Sequence, residues 1–316
     1  MGGTTIKLGL LTSRHDSLEL FRSMPTRAHR PRQEVLADLA AAAQELAADA
    51  ASSGQRVSGI GVGLPAAMSR SGHIEVLPNF APGWNGVSVA AELSAATGLP
   101  TVTINDARAF TLAEATFGAA AGAQSVLGVT LGTGVGGGLV LDGKLYLGRS
   151  GKAGELGHQV VDRYGPLCGC GSRGCLETYS SATALIASVT RGFLQGSTVR
   201  LCELAGNQLA SVTPELIAEA AAQGDATCQD AIERAGAALG VVLANTVTLL
   251  AVERIVVGGG LAGLGELLFA PMLWTLHEFA RLAGPDMPDL VPALLGSEAG
   301  ALGAALEAQQ RLLANV

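Results

Sequence analysis

Short apolar runs alternate with longer amphipathic segments along this chain, and turn residues separate them. Runs rich in Val, Ile and Leu predict strands at 6–11, 57–63, 101–104, 125–131, 254–257 and 290–295. Segments with helical periodicity, several bounded by Pro or Gly, predict helices at 31–51, 86–97, 107–117, 178–190, 214–222, 226–250, 266–279 and 299–313. The pair Asp142-Gly143 predicts a hairpin turn between two short strands. This alternation predicts an α/β fold with mostly parallel sheets.

Composition narrows the range of partners. Of the 316 residues, 48% are hydrophobic and 15% are charged, which is enough for a packed core. The balance of 20 Lys+Arg against 27 Asp+Glu gives a net charge of −7 and argues against nucleic acid as a partner. The mean hydropathy of +0.38 comes from small residues, and the most apolar stretch, 241–252, is shorter than the ~18 residues of a membrane span. No signal peptide pattern is visible, so we expect a cytoplasmic protein without membrane contact.

Three of the five cysteines fall within eight residues, and a histidine precedes them. The set is His158, Cys168, Cys170 and Cys175, with glycines interspersed. An odd number of cysteines in such a cluster favours a reducing compartment and a metal over disulfides. Three thiolates and one imidazole suit tetrahedral Zn²⁺ with no open position, hence a structural zinc site. The alternative is a set of thiols that fill space in the core.

A glycine-rich loop follows the strand predicted at 125–131. Residues 132–137 match G-x-G-x-x-G, but the loop leads into another strand and not into the helix that a dinucleotide site requires. Its unshielded amide groups and the Thr133 hydroxyl could hold phosphate oxygens. A tight hairpin without a ligand is the alternative.

Polar residues near these features suit a hydroxylated substrate. Asp106 opens a predicted helix, whose N-terminus favours its anion, and it could accept a hydroxyl proton while Asn105 positions the substrate. An ordinary helix cap is the alternative for this pair. Glu155, His158 and Glu177 flank the cysteine loop, and carboxylates with an imidazole suit the hydroxyls of a sugar. Solvated glutamates are the alternative for the two acids.

Taken together, these motifs resemble the repressor–ORF–kinase (ROK) family of sugar kinases nearly end to end. The matching segments are Gly2-Gly3-Thr4, Gly61-Val62-Gly63-Leu64-Pro65, Pro78-Asn79, Gly83-Trp84-Asn85, Asn105-Asp106-Ala107, 131–138, Gly154-Glu155-Leu156-Gly157-His158, 168–177 and Gly258-Gly259-Gly260. The cysteine segment with its preceding Glu-x-x-His is highly specific, whereas the glycine loops alone are not.

The resemblance implies an actin-like (ribonuclease H-like) fold of two lobes with a structural zinc site, closing on ATP and a hexose. The lobes would be 1–107 and 108–296, with the helix at 297–316 packing back on the first. Asp106 would remove the proton of the sugar 6-hydroxyl, and Mg²⁺ would accompany ATP. His158 would bind zinc with one ring nitrogen and face the sugar with the other. A homodimer or homotetramer is expected. The residues implied to hold the sugar are Asn79, Asn105, Asp106, Glu155, His158 and Glu177. The residues implied to hold the nucleotide are Gly3, Thr4, Thr5, Gly132, Thr133, Gly134, Gly259 and Gly260.

The leading function is therefore ATP-dependent phosphorylation of a hexose, with glucose first. An N-acetylhexosamine kinase and an enzyme that uses polyphosphate as donor are alternatives within the family. A sugar-responsive repressor would carry a winged helix before the first phosphate loop, which here begins at Gly2. A sugar-binding protein without activity is the remaining alternative.

The chain departs from the family pattern at two informative places. Family members usually have an Asp two residues before the first Gly-Gly-Thr, and here Met1 precedes Gly2-Gly3-Thr4. We expect this chain to be less stable and slower than one extended by about ten residues, a strand and a little more. Arg108 stands where the family often has Asn; it would lower the pKa of Asp106 or meet a phosphate. A solvated arginine on a helix is the alternative.

Overall fold

The computed structural model describes residues 1–12 and 17–313. The chain forms two compact units. The first comprises Met1–Gly128, Gly138–Gly154 and Ala293–Val316, and the second comprises Val129–Gly137 and Glu155–Pro292. These divisions differ from the lobe boundaries predicted at 107/108 and 296/297. The first unit continues past residue 107 because the helix that begins at Asp106 packs on the helix near the end of the chain.

Among the described residues, six strands of the first unit form three pairs. Strand β1 (Thr5–Leu10) pairs antiparallel with β2 (Glu19–Pro25), and β4 (Ala67–Met68) pairs antiparallel with β5 (Ile74–Val76). Strand β3 (Ile60–Leu64) pairs parallel with β6 (Thr101–Asn105). The two parallel strands end side by side, so Leu64 is level with Asn105. This places the start of the next helix at the carboxyl edge of the pair.

The α-helices of the first unit, within the residues described, are α1 (Arg32–Ser52), α2 (Val89–Thr97), α3 (Asp106–Thr116) and α10 (Ala299–Leu313). Helix α10 lies against β3 and α3 with no room for side chains at the contacts. A Cβ on Gly61 would overlap the Ala304 carbonyl oxygen, and a Cβ on Gly303 would overlap that of Ala109. The glycines at these positions therefore let the helix backbone approach its neighbours closely.

A five-stranded sheet has the order β11-β10-β7-β8-β9. Its strands are β7 (Val126–Leu131), β8 (Val135–Leu141), β9 (Lys144–Leu145), β10 (Arg254–Gly258) and β11 (Asp289–Pro292). Strands β8 and β9 form the predicted hairpin, since Leu141 pairs with Lys144 across Asp142-Gly143. Strands β10 and β11 are parallel. The central strands are almost wholly buried, as their continuous apolar sequences predict.

The helices of the second unit are α4 (Glu177–Ser180), α5 (Ala182–Leu194), α6 (Val199–Leu204), α7 (Pro214–Ala222), α8 (Ala226–Leu250) and α9 (Glu266–Phe279). The single helix predicted at 178–190 is wrong. Ser181 interrupts it with an extended backbone, and its hydroxyl accepts a hydrogen bond from the Ala184 amide. Serine competes for backbone donors in this way and starts a new helix.

Helix α8 is long and apolar enough to cross a membrane by length and composition. More than half of its most apolar window, 56%, is buried inside the protein. Gly236 and Gly240 on this helix face the backbone of α9, where a Cβ would crowd Leu268 and Met272. These features identify α8 as a core helix of its unit.

Most of the other predicted elements are confirmed, with ends that move by one to three residues. The sequence pattern missed β2, β4, β5 and α6. Each is short or mostly exposed, so its apolar positions are too few to show a period.

Candidate functional site

Asp106 lies at the junction of β6 and α3, where it is exposed to solvent. It is the first residue of the helix, and its Oδ1 accepts a hydrogen bond of 2.9 Å from the Ala107 amide. The helix N-terminus favours the ionised carboxylate. Asp106 also borders a cavity of about 1260 Å³ that residues 2–5 line. The structure therefore brings the predicted base and the first predicted phosphate loop to one cavity of the first unit.

Asn105 is the helix cap that the local sequence allowed. Its Oδ1 accepts hydrogen bonds from the amides of Ala107 and Arg108, at 3.1 and 3.2 Å. Its Nδ2 donates to the Ala66 carbonyl at 3.3 Å. The oxygen is committed to the cap, so any role of this side chain toward a substrate falls to the second hydrogen of Nδ2.

Arg108 is buried, with 3% of its surface exposed. Its Nε donates to the Ala153 carbonyl at 3.0 Å. The interpretation of this residue as a solvated helix arginine is wrong. The side chain packs in the first unit because the stem of an arginine can be buried where its guanidinium finds acceptors.

Thr26 holds the first predicted phosphate loop. Its amide donates to the Thr4 carbonyl at 2.9 Å and its hydroxyl donates to the Gly2 carbonyl at 2.6 Å. Thr26 is fully buried. Asn79 lies beside the same loop, with its Cβ 3.5 Å from where a Cβ on Gly3 would be. The sequence analysis missed Thr26 because strand β2, which leads to it, carried no periodic signal.

The four predicted metal ligands meet in the second unit. The ligand atoms of His158, Cys168, Cys170 and Cys175 all lie within 4.8 Å of one another. The Sγ atoms of Cys170 and Cys175 are 3.7 Å apart, as are Cys168 Sγ and His158 Nδ1. A tetrahedron with Zn–S bonds of about 2.3 Å has S···S edges of about 3.8 Å. The donor set therefore fits a four-coordinate zinc ion, and none of the cysteines is in a disulfide.

The local backbone creates this cluster. The Cys168 amide donates to the Ser172 carbonyl at 2.8 Å and the Gly171 amide donates to the Cys168 carbonyl at 3.0 Å, which closes a tight turn. Gly174 has a φ of +64°, and a Cβ there would overlap the Asp162 carbonyl oxygen. Only glycine combines this backbone conformation with so close an approach.

Burial and hydrogen bonding act on the protonation of the thiols. Burial raises the pKa of Cys175 to about 12 and also raises the pKa of Cys168. A hydrogen bond from the Ser172 backbone lowers the pKa of Cys170. Without a cation, buried thiols such as Cys175 hold their protons at neutral pH, and metal binding would release them.

Glu155, His158 and Glu177 occupy the surface around this cluster. Glu155 precedes a single turn of 3₁₀ helix, Leu156–His158, and both Glu155 and His158 are exposed. Glu177 is the first residue of α4, two positions after Cys175, and is half-buried. The structure brings His158 to the cysteines through its Nδ1, which leaves Nε2 for another partner.

The other two glycine loops meet at the ends of neighbouring strands. Residues 132–134 connect β7 to β8, and the Gly132 amide donates to the Gly134 carbonyl at 2.9 Å. Gly259 follows β10 with a φ of +92°, and a Cβ there would overlap the Leu131 carbonyl oxygen. The structure thus places Gly259 directly beside the start of the 132–134 loop. Both loops belong to the second unit.

Comparison with known proteins decides the family. A model of the ROK family matches residues 1–311. This chain belongs to the ROK family. It is 34% identical over 313 residues to the glucokinase of Thermotoga maritima, which covers 99% of this chain and 96% of that protein. It is 33% identical over 313 residues to an N-acetylmannosamine kinase of Escherichia coli O127:H6, with 98% and 96% covered.

A solved ROK structure supports the same assignment. The glucokinase of Streptomyces griseus, in complex with glucose and AMPPNP, matches with a TM-score of 0.81 at 31% identity and covers 98% of this chain and 97% of that one. The predicted family and the actin-like sugar kinase fold are confirmed. The predicted roles of individual site residues stay predictions.

Proposed function

We propose that this protein is an ATP-dependent sugar kinase that phosphorylates the 6-hydroxyl of a hexose, with glucose as the first candidate. The single observation that carries the proposal is the exposed carboxylate of Asp106 at the N-terminus of α3, beside a glycine loop, in a ROK chain with full-length glucokinase relatives. The class is a phosphotransferase with an alcohol group as acceptor.

In this mechanism Asp106 accepts the proton of the sugar hydroxyl as the hydroxyl oxygen attacks the γ-phosphoryl group. The Ala107 amide and the helix N-terminus hold the carboxylate as an anion in one orientation. Asn105 fixes the start of the helix, so the base stays where β6 ends. Most of the rate enhancement then comes from positioning the two reactants.

We assign sugar binding to the predicted residues Asn79, Asn105, Glu155, His158 and Glu177. Carboxylates accept from sugar hydroxyls, and the amides and the imidazole Nε2 complete the donors and acceptors that a hexose requires. We assign the phosphates to the amides of the three glycine loops, at 2–5, 132–134 and 259–260. Mg²⁺ would neutralise charge on the phosphates of ATP when bound.

The cysteine cluster is proposed to hold a structural zinc ion. Its four protein ligands leave no position for water, so the ion would stabilise the loop and take no part in the reaction. With Nδ1 toward the cluster, His158 is fixed in one ring orientation and presents Nε2 to the sugar. The proposal also includes a cytoplasmic location and a homodimer or homotetramer.

A second candidate, an N-acetylhexosamine kinase, is favoured by one observation. The N-acetylmannosamine kinase of Escherichia coli is 33% identical over 98% of this chain, which nearly equals the identity to the glucokinases. The same carboxylates, amides and imidazole would serve either sugar.

A coupled kinase assay with glucose, mannose, N-acetylglucosamine and N-acetylmannosamine tests both candidates. We expect glucose to give the highest kcat/KM, and Asp106→Asn to lower kcat about 10²- to 10⁴-fold, the usual contribution of a general base. Asp142→Asn is the matched control, since it removes a carboxylate from an exposed turn that suits Asn equally well. Unchanged turnover in Asp106→Asn would exclude this carboxylate as the base.

A further inference from the structure

The residue two positions after the last cysteine of the cluster reaches the second glycine loop. Glu177 Oε2 accepts a hydrogen bond of 3.0 Å from the Val135 amide. A Cβ on Gly134 would overlap the same oxygen. Glycine at 134 is therefore what leaves room for the carboxylate, and the carboxylate in turn fixes the end of the loop. The predicted role of Glu177 toward a sugar does not account for this contact.

The start of α5 holds the other end of the loop. The Ala182 amide donates to the Gly132 carbonyl at 2.8 Å, and the Thr183 hydroxyl donates to the Thr133 carbonyl at 3.1 Å. The break at Ser181 makes the Ala182 amide available, because it starts a new helix whose first amides have no partner within the helix. The Thr183 contact comes from a side-chain hydroxyl on the first turn of the same helix.

These contacts determine where the loop amides point. In a trans peptide the carbonyl and the following N–H point in opposite directions. Tying the carbonyls of Gly132 and Thr133 to α5 therefore turns the amides of Thr133 and Gly134 away from it. Within the described part of the chain, neither amide donates to another group. Two adjacent outward amides form the concavity that binds a phosphate oxygen.

We propose that Glu177 and Thr183 are positioning residues that hold the 132–135 loop in its phosphate-binding shape. Because Glu177 follows Cys175 by two residues, the cysteine cluster sets the affinity for the nucleotide as well as for the sugar. This inference rests on the proposed function, because that function makes the phosphates of ATP the ligand of the loop.

Thr183→Val is the most selective test, because this residue has no role toward the sugar. The variant keeps the side-chain shape and loses one hydrogen bond, so we expect the Kd for Mg²⁺–AMPPNP to rise about two- to tenfold. The Kd for glucose should stay within about twofold. The matched control is Thr190→Val on the same helix, whose hydroxyl donates to the Ile186 carbonyl one turn earlier.

Variants of Glu177 test whether the loop requires a hydrogen-bond acceptor or a negative charge at this position. Glu177→Ala removes the acceptor, so we expect faster hydrogen exchange at the Val135 amide and weaker AMPPNP binding. Glu177→Gln keeps an oxygen that accepts from that amide. It should therefore restore much of the AMPPNP binding and much of the protection of the Val135 amide from exchange. Gly134→Ala, which displaces the carboxylate, should reproduce the Glu177→Ala result. The control is Glu233→Gln, at an exposed position on α8.

Removing the metal with a chelator should have the same consequence, with weaker AMPPNP binding and faster exchange at Val135. The inference is overturned if Thr183→Val and Glu177→Ala both bind AMPPNP within about twofold of the unaltered protein. If the unaltered protein binds no AMPPNP, the proposed kinase function fails. Exchange at Val135 then still tests the contact of Glu177 with the loop, since it requires no nucleotide.

Discussion

Glu114 on α3 is a fully buried carboxylate outside the candidate functional site. Its Oε2 accepts hydrogen bonds from the amides of Ala119 and Leu294, at 2.8 and 3.2 Å, and its Oε1 accepts from Leu295 at 2.9 Å. A buried acid is tolerated where amide donors surround it. Glu114 therefore ties the end of α3 to the segment that leads into α10.

Replacing Glu114 tests this role. Glu114→Gln puts an NH₂ group against backbone donors and removes the charge that strengthens the three bonds. We expect the free energy of unfolding to fall by about 2–4 kcal/mol. Urea denaturation measures the change, and Glu45→Gln, on an exposed face of α1, provides the control. Equal midpoints for the two variants would contradict the prediction.

At the residue scale, the sequence predicted the candidate site residues that stand in unusual combinations. Three closely spaced cysteines with a histidine, and Asn-Asp after a strand, are visible without a structure. Thr26 and Thr183 are not, because a threonine that bonds a distant carbonyl looks like any other threonine in a sequence. For Arg108 the sequence left two interpretations open, and only the solvated one is contradicted, because the side chain is buried.

At the scale of elements, the packing of α10 depends on which glycines face a neighbour. Gly303 lies against the Ala109 backbone of α3, whereas a Cβ on Gly300, one turn earlier in the same helix, would meet nothing within 4 Å. Both residues look alike in the sequence. Only the structure shows that one is a contact and the other is open.

The two glycines give a paired prediction. Gly303→Ala should lower the free energy of unfolding by about 1–3 kcal/mol or more, because backbone must move to admit the methyl group. Gly300→Ala should raise it by up to about 1 kcal/mol, because alanine favours the helix. Thermal or urea denaturation of both variants checks the signs. A stabilising Gly303→Ala would show that α10 does not pack as described.

Elements that repeat the helical period over several turns were predictable from the sequence. Boundaries that depend on a single side chain were not. Helices α7, α8, α9 and α10 begin and end where their apolar stripes and terminal residues predict. The division between α4 and α5 depends on a single serine whose hydroxyl caps the second helix. Helical periodicity continues across such a break, so the pattern alone joins the two helices.

At the scale of the whole molecule, the cysteine cluster belongs to one compact unit. If it holds zinc, elemental analysis should find one ion per chain, and Cys175→Ser should abolish it while Cys202→Ser should not. Metal at about a hundred times its Kd stabilises by about 2.7 kcal/mol, which corresponds to a rise in Tm of about 5–11 °C. Chelation should reverse that rise.

Hydrogen exchange shows which residues the loss of metal destabilises. After chelation we expect faster exchange in residues 155–180, which surround the cluster, and unchanged exchange in α1 and β3 of the other unit. A chelator that accelerates exchange equally in both units would mean that the cluster supports more than its own loop. The family and the fold were predictable at this scale because the motifs run almost the length of the chain.

The place of α10 in the chain has a consequence for biosynthesis. This helix covers the glycine-bearing face of β3, yet the ribosome makes β3 first, then all of the second unit, and α10 only afterwards. The first unit therefore lacks the helix that covers β3 until the last part of the described chain has been made. Until α10 emerges, β3 and α3 present bare backbone to chaperones and to other newly made polypeptides.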